Sequence, residues 1–173
     1  MRERSCLPVA IKKIFCGLMV LLMAVTFAGC GENSPRGRVT QTVTAALTAP
    51  NEVLLAVLSD PSASEEDVVS AMREVFGKWV AEDSLIGSKL FQIVLTTQVS
   101  ALAKGVAIEV NSVEVTQSQD NGTQYGYRAD ATLTLADGTS NDVGFNGTVQ
   151  LNEDGKVDFM SAVGSGMDLL GRV

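Results

Sequence analysis

The sequence predicts an α+β fold, with N-terminal helices packed on a curved four-stranded antiparallel meander. Three observations predict it. From Thr40 to Gly105 the apolar residues recur at helical spacing. From Val106 to Val163 they alternate with a period of two. Three turn segments, "QDNGT", "ADGTS" and "NEDGK", divide that second half. A chain of 173 residues fits a single domain.

A leader comes first. Arg2, Arg4, Lys12 and Lys13 make a basic start, opposed only by Glu3. "IFCGLMVLLMAVTFAG" (Ile14 to Gly29) is uncharged and apolar. A stable membrane span needs roughly 20 apolar residues. This run is shorter, and the small residues Ala28 and Gly29 close it at once. Basic, apolar, small is the order of a secretory signal peptide, so residues 1–29 are read as one. An uncleaved anchor helix is the alternative, and the length argues against it. The cysteines, Cys6, Cys16 and Cys30, all lie within the first thirty residues. No pair remains to cross-link the rest of the chain.

"FAGC" (Phe27 to Cys30) resembles the bacterial lipobox, in which small residues precede a cysteine that becomes the mature N-terminus. Ala28, Gly29 and Cys30 match, and Phe27 stands where Leu is usual. The resemblance implies that Cys30 carries a diacylglyceryl group and palmitate-type acyl chains. It implies a protein of the cell envelope, anchored on the extracytoplasmic side of a bacterial membrane. Gly31 follows the cysteine, so the Asp that signals inner-membrane retention in two-membrane bacteria is absent. One acyl chain holds a protein only marginally, at about 0.8 kcal/mol per buried methylene, and two hold it stably. Residues 30–38, with "GENSPRGR", are then a flexible tether reaching at most about 28 Å. Residues 39–165 form the domain, and 166–173 a C-terminal tail.

Charge narrows the partners. The whole chain has a formal charge of −7. Removing a leader with four cations and one acid leaves −10. Such a chain is a poor nucleic-acid binder, and lipid rather than charge must hold it at an anionic membrane. The expected partners are the membrane, through the anchor, and an envelope protein or a small apolar ligand.

The elements follow in order. A short helix ends near Pro50, and a second starts from Asn51. Ser64 caps the next helix, with Asp67 at capping-box spacing and Glu65 and Glu66 favouring its N-terminus. Val68, Met72, Val75 and Trp79 form its stripe. Ser84 to Gly105 is a further helix, or two shorter ones if Thr96 and Thr97 break it. Leu90, Phe91, Val94, Leu95, Val99 and Leu102 are expected on its buried face.

In the meander, Tyr125, Tyr127, Ala129, Ala131, Leu133 and Leu135 share one face. Val143, Phe145, Gly147, Val149 and Leu151 repeat the pattern, as do Val157, Phe159 and Val163. A three-residue loop at Asp137-Gly138 is expected to pair Leu133 with Val143 and Ala131 with Phe145. The same parity pairs Val149 with Phe159. In the first strand Val106, Ile108 and Val110 are even, whereas Val113 and Val115 are odd. A bulge near Asn111-Ser112 restores one face. It pairs Val115 with Tyr127, Val110 with Ala131 and Ile108 with Leu133.

Helices first, then a bent strand and a meander: this arrangement resembles the NTF2-like, cystatin-like α+β superfamily. "NEDGKVDFM" is similar to the turn that leads the last strand in such domains. The resemblance covers Thr40 to about Val163. It implies either a binding module or a pocket enzyme of the isomerase or hydratase type, with a cone between helices and sheet. Trp79, Tyr125, Tyr127, Phe145 and Phe159 are the candidate pocket lining.

The residues argue against catalysis. The chain has no histidine, and its mature part no free cysteine. Asp130, Asp142 and Asp158 have outward parity, so no acid joins the tyrosines. "NEDGKVD" fails as a calcium loop, because Gln150 and Ser161 stand where principal acidic ligands belong. No zinc spacing or phosphate loop is present, and no cofactor or metal is expected.

Overall fold

The fold begins at Ser34. In this computed structural model, which describes Gly31 and residues 33–172, the Ser34 hydroxyl accepts from the Gly37 N–H at 3.0 Å. It thereby caps α1, Pro35–Leu47. Pro35 suits the first helical position, where its fixed φ helps and no N–H is needed. Residues 35–38, expected in the tether, are therefore helical. The leader and Cys30 lie outside the described residues.

Pro50 ends the first helical segment as expected. Asn51 then caps α2, Glu52–Leu58, accepting from the Val53 and Leu54 N–H groups at 3.1 and 3.2 Å. Ser64 and Asp67 form the capping box of α3, Glu65–Phe76, each accepting a backbone N–H of the other. A 3₁₀ turn, Glu82–Ser84, leads to α4, Lys89–Lys104. Gly105 closes α4 in the left-handed region at φ 63°, where glycine is favoured.

α4 is one helix, and its buried face differs from the expected one. Leu90, Ile93, Val94, Thr97, Gln98 and Ser100 are buried, while Val99 and Leu102 are 47% and 43% exposed. Two polar side chains explain the rotation. Thr97 Oγ1 donates to the carbonyls of Val94 and Ala46 at 2.9 and 3.1 Å. Gln98 Nε2 donates to the Thr48 carbonyl at 2.9 Å, and its Oε1 accepts from the Asn51 N–H at 2.8 Å. The α1–α2 link has backbone groups to satisfy, and α4 turns its amide toward them.

The sheet has four antiparallel strands in the order β1-β2-β3-β4: Ala107–Gln117, Gln124–Thr134, Ser140–Leu151 and Val157–Met160. The β1–β2 register is as expected. Ile108 pairs with Leu133, Val110 with Ala131 and Val115 with Tyr127, with the bulge between Val110 and Ser112. In β2–β3 the parity is right and the offset differs by two residues. Leu133 pairs with Asn141, Ala131 with Val143 and Ala129 with Phe145. The loop is indeed Ala136-Asp137-Gly138, closed by Leu135 N–H donating to Thr139 O at 2.8 Å. Counting back from that pair gives the observed register.

β3–β4 holds a second irregularity. Leu151 pairs with Val157, but Gln150 pairs with Phe159 and Val149 with Met160. Asp158 is the extra residue. It turns Phe159 outward, to 44% exposure, and puts Met160 in the core. The chain then continues along β3. Asn146 and Val163 exchange both backbone bonds at 2.8 Å.

Helix α5, Ser165–Arg172, takes in residues 166–172, expected as a tail. It lies so close to the sheet that a Cβ on Gly166 would meet the Phe145 ring at 2.2 Å. Leu170 is buried. The helices and the inner face of the sheet share one apolar cluster, including Val43, Leu47, Met72, Phe76, Leu90 and Phe145. Glu32–Val173 is one compact unit. Among the described residues no helix is long and apolar enough to cross a membrane.

Candidate functional site

The five candidate pocket residues do not form one site. Tyr125, Tyr127 and Phe145 occupy the inner face of the sheet, at 3%, 5% and 0% exposure. They are filler between sheet and helices. The Tyr127 hydroxyl donates to the Ser161 carbonyl at 2.8 Å. Burial pushes its phenol well above the ordinary value, so it stays protonated. Phe159 is on the other side of the sheet for the reason given above. Trp79 lies after α3, half-buried, on the segment that pairs with β4.

Val157 N–H donates to Trp79 O, and Ala81 N–H to Val157 O, both at 2.8 Å. Trp79 and Asp158 flank this bridge. Trp79 Nε1 and Asp158 Oδ1 are both buried, and neither has a hydrogen-bond partner. The "NEDGK" loop is a hairpin turn: Asn152 Oδ1 accepts from the Lys156 N–H at 2.9 Å, and Gly155 has φ 69°. Its Asn is thus engaged in the turn. No group of three or more acids or sulfur ligands comes together for a metal among the described residues.

The open surface is the opposite, polar face of the sheet. An open recess of about 580 Å³ lies over β1–β3, lined among others by Asn111, Arg128, Asp130, Asp142, Gly144 and Ser165. A second, of about 280 Å³, is bounded by Glu114, Thr116, Gly126, Arg128, Asn146 and Gly147. Arg128 stands between them. It is paired across the strands with Glu114 and Asn146. Its Nε lies 3.7 Å from Asp130 Oδ1, an exposed ion pair of small energetic weight.

Glycines make the recesses. Gly126 and Gly144 both have outward parity, and a Cβ on Gly144 would meet nothing within 4 Å. A glycine inside a strand weakens it, and its use marks a bulge or a place where another molecule approaches the backbone. That signal stands in the sequence, in "YGYRAD" and "VGFNG", on the face opposite the inward aromatics. Gly147 has a different cause. It faces inward, and a Cβ there would fall 2.7 Å from the Tyr127 ring.

The comparisons add no relative: no protein-family model matches the chain, and no curated protein matches it.

Proposed function

We propose that this chain is an envelope lipoprotein, anchored through Cys30, whose domain binds a protein partner and is not an enzyme. The architecture of the domain is read as NTF2-like or cystatin-like. The leader, the small residues before Cys30 and the polar stretch after it support the anchor. The observation that carries the binding reading is the pair of recesses on the polar face, meeting at Arg128. The inner face supports a ligand pocket less, because its aromatic residues are packed core.

The chemistry of the polar face selects the partner. Glu109, Glu114, Asp130 and Asp142 stand on it around Arg128, the single cation of this face among the described residues. The rings of β1–β3, Tyr125, Tyr127 and Phe145, all point inward, and the exposed ring on this side is Phe159 of β4, outside the residues that line the two recesses. A protein surface with basic side chains complements such a face, with charge setting orientation and rate.

Gly144→Trp puts a bulky side chain at the larger recess, from a position where a Cβ meets nothing within 4 Å. A photo-crosslinking residue at Thr132 is expected to yield one covalent adduct in cells. Gly144→Trp and Asp142→Lys should each abolish it at unchanged melting temperature. An adduct that persists in both variants, or one that forms equally from Glu66 on α3, would sink the reading.

A further inference from the structure

Past β4 the chain runs on along β3. The Ser161 N–H donates to the Thr148 carbonyl at 2.9 Å, and Asn146 and Val163 exchange both backbone bonds at 2.8 Å. Residues directly opposite each other in an antiparallel ladder point to the same face. Val163 therefore shares the outer face with Asn146, Arg128 and Glu114, which are paired in turn across β3, β2 and β1. Acid, base, amide and valine stand in one row across the sheet. Phe159 is on this face too, paired with Gln150.

Val163 is 62% exposed and Phe159 44%. The ladder does not ask for a valine, because its bonds are backbone bonds that any side chain would allow. The surface between the two is ready to be covered. The Thr148 and Ser161 hydroxyls lie 3.0 Å apart and bond each other, and the Ser161 hydroxyl also accepts the Thr148 N–H at 3.0 Å. Polar groups already paired within the protein cost little to remove from water.

The rest of the face is acidic. Glu109, Glu114, Asp130 and Asp142 against Arg128 leave it at −3 among the described residues. Lys156, just before β4, is engaged by the Gly77 carbonyl at 3.2 Å. An apolar strip beside an acidic field complements a surface that is apolar along one side and basic along the next, and repels anionic lipid and nucleic acid.

Dimensions select the shape of that surface. Four residues of extended chain put Val163 and Phe159 about 13 Å apart. Residues i and i+7 or i+8 of a helix are separated by about 10–12 Å. From Val163 to Glu114 is three strand spacings, about 14 Å, against about 10–12 Å for the width of a helix with its side chains. The strip is a face and not a strand edge, so side chains rather than backbone groups recognise it.

We propose, resting on the reading of this face as a protein-binding surface, that it receives an amphipathic helix of the partner, apolar stripe on Val163 and Phe159, basic flank toward Glu114, Asp130 and Asp142. The apolar contacts hold the helix, and the charges set its orientation.

The test uses the full chain in its own cells, with photo-crosslinking residues at Gln150, paired with Phe159, and at Thr132, paired with Asp142. Mass spectrometry of the adducts reads the partner residues touched. Both adducts should fall in one helix of one protein, the first on its apolar stripe and the second beside Lys or Arg. Val163→Ser with Phe159→Ser should weaken both adducts roughly tenfold at near wild-type melting temperature. Adducts that survive this double variant, or that map to an extended or acidic segment, overturn the helix and leave the protein-binding reading standing as long as Asp142→Lys abolishes them. Lipid or glycan adducts, or none from either position, overturn both.

Discussion

Tyr127 and Ser161 are joined across three strands. The phenol hydroxyl on β2 donates to the Ser161 carbonyl beyond β4 at 2.8 Å, and the ring crosses the β3 residue Gly147 to get there. The glycine and the tyrosine form one device. A Cβ at position 147 would fall 1.9 Å from the Ser161 oxygen as well as against the ring.

Gly147→Ala is therefore expected to destabilise the domain by about 3 kcal/mol, because both neighbours must move and one of them is backbone. Tyr127→Phe keeps the ring and leaves the carbonyl unpaired, which costs about 1–2 kcal/mol. Urea unfolding of the two variants measures both. Wild-type stability in Gly147→Ala would show that the strands give way easily here.

Gln98 is the second test. Gln98→Leu fills much the same space and leaves the Asn51 N–H and the Thr48 carbonyl without their partner. The expected loss is about 2–4 kcal/mol. Gln98→Glu keeps the acceptor but sets a carboxylate at a fully buried position against the Thr48 carbonyl, so at neutral pH it should cost at least as much as Leu. A Leu variant as stable as wild type would mean that water satisfies the α1–α2 link.

The two phenylalanines of the sheet should behave oppositely. Phe145 is fully buried beneath α5, and Phe145→Ala is expected to cost about 3–5 kcal/mol. Phe159 is turned outward by the Asp158 bulge, and Phe159→Ala should cost no more than about 1 kcal/mol. Equal losses would contradict the β3–β4 register.

Acid should weaken the fold through its loop and cap carboxylates. Ser62 holds Asp60 below its ordinary value, Ser64 does the same for Asp67, and Thr139 for Asp137, in each case by hydrogen bonds to the charged form. Their folded values lie below the unfolded ones, so the unfolded chain binds more protons as pH drops. The stabilisation is complete above the unfolded carboxylate value of about 4 and is lost as pH falls through the folded values. Replacing the three by Asn should make stability less dependent on pH in that window, as read by thermal melts. An unchanged acid slope would remove these groups from the account.

Much of the fold is legible in the sequence where a rule is local. The Ser64 capping box, the Gly105 stop and the Asn51 start each follow from a few residues. The β1 bulge is legible because the parity of its valines changes. The Asp158 bulge is not, since Val157 and Phe159 alternate perfectly and hide the added residue. The α4 face is misread because a buried Gln and Thr look like solvent residues until their backbone partners are known. Ser34-Pro35 is a helix start that polar, glycine-bearing neighbours disguise as a tether. Alternation also tells which face is inward without telling whether space remains there, so the inner aromatics suggested a pocket where the fold has core.

The two bulges have a consequence of their own. Wherever copies of a protein are concentrated, exposed strand edges find each other easily. Both edge strands here are broken by an extra residue, Asn111 in β1 and Asp158 in β4. Each is partly covered as well, by Ala49 on one side and Val80 on the other. A twisted, interrupted edge carrying Glu109 and Glu114 is a poor template for a further strand. The molecule can be crowded without becoming a fibre.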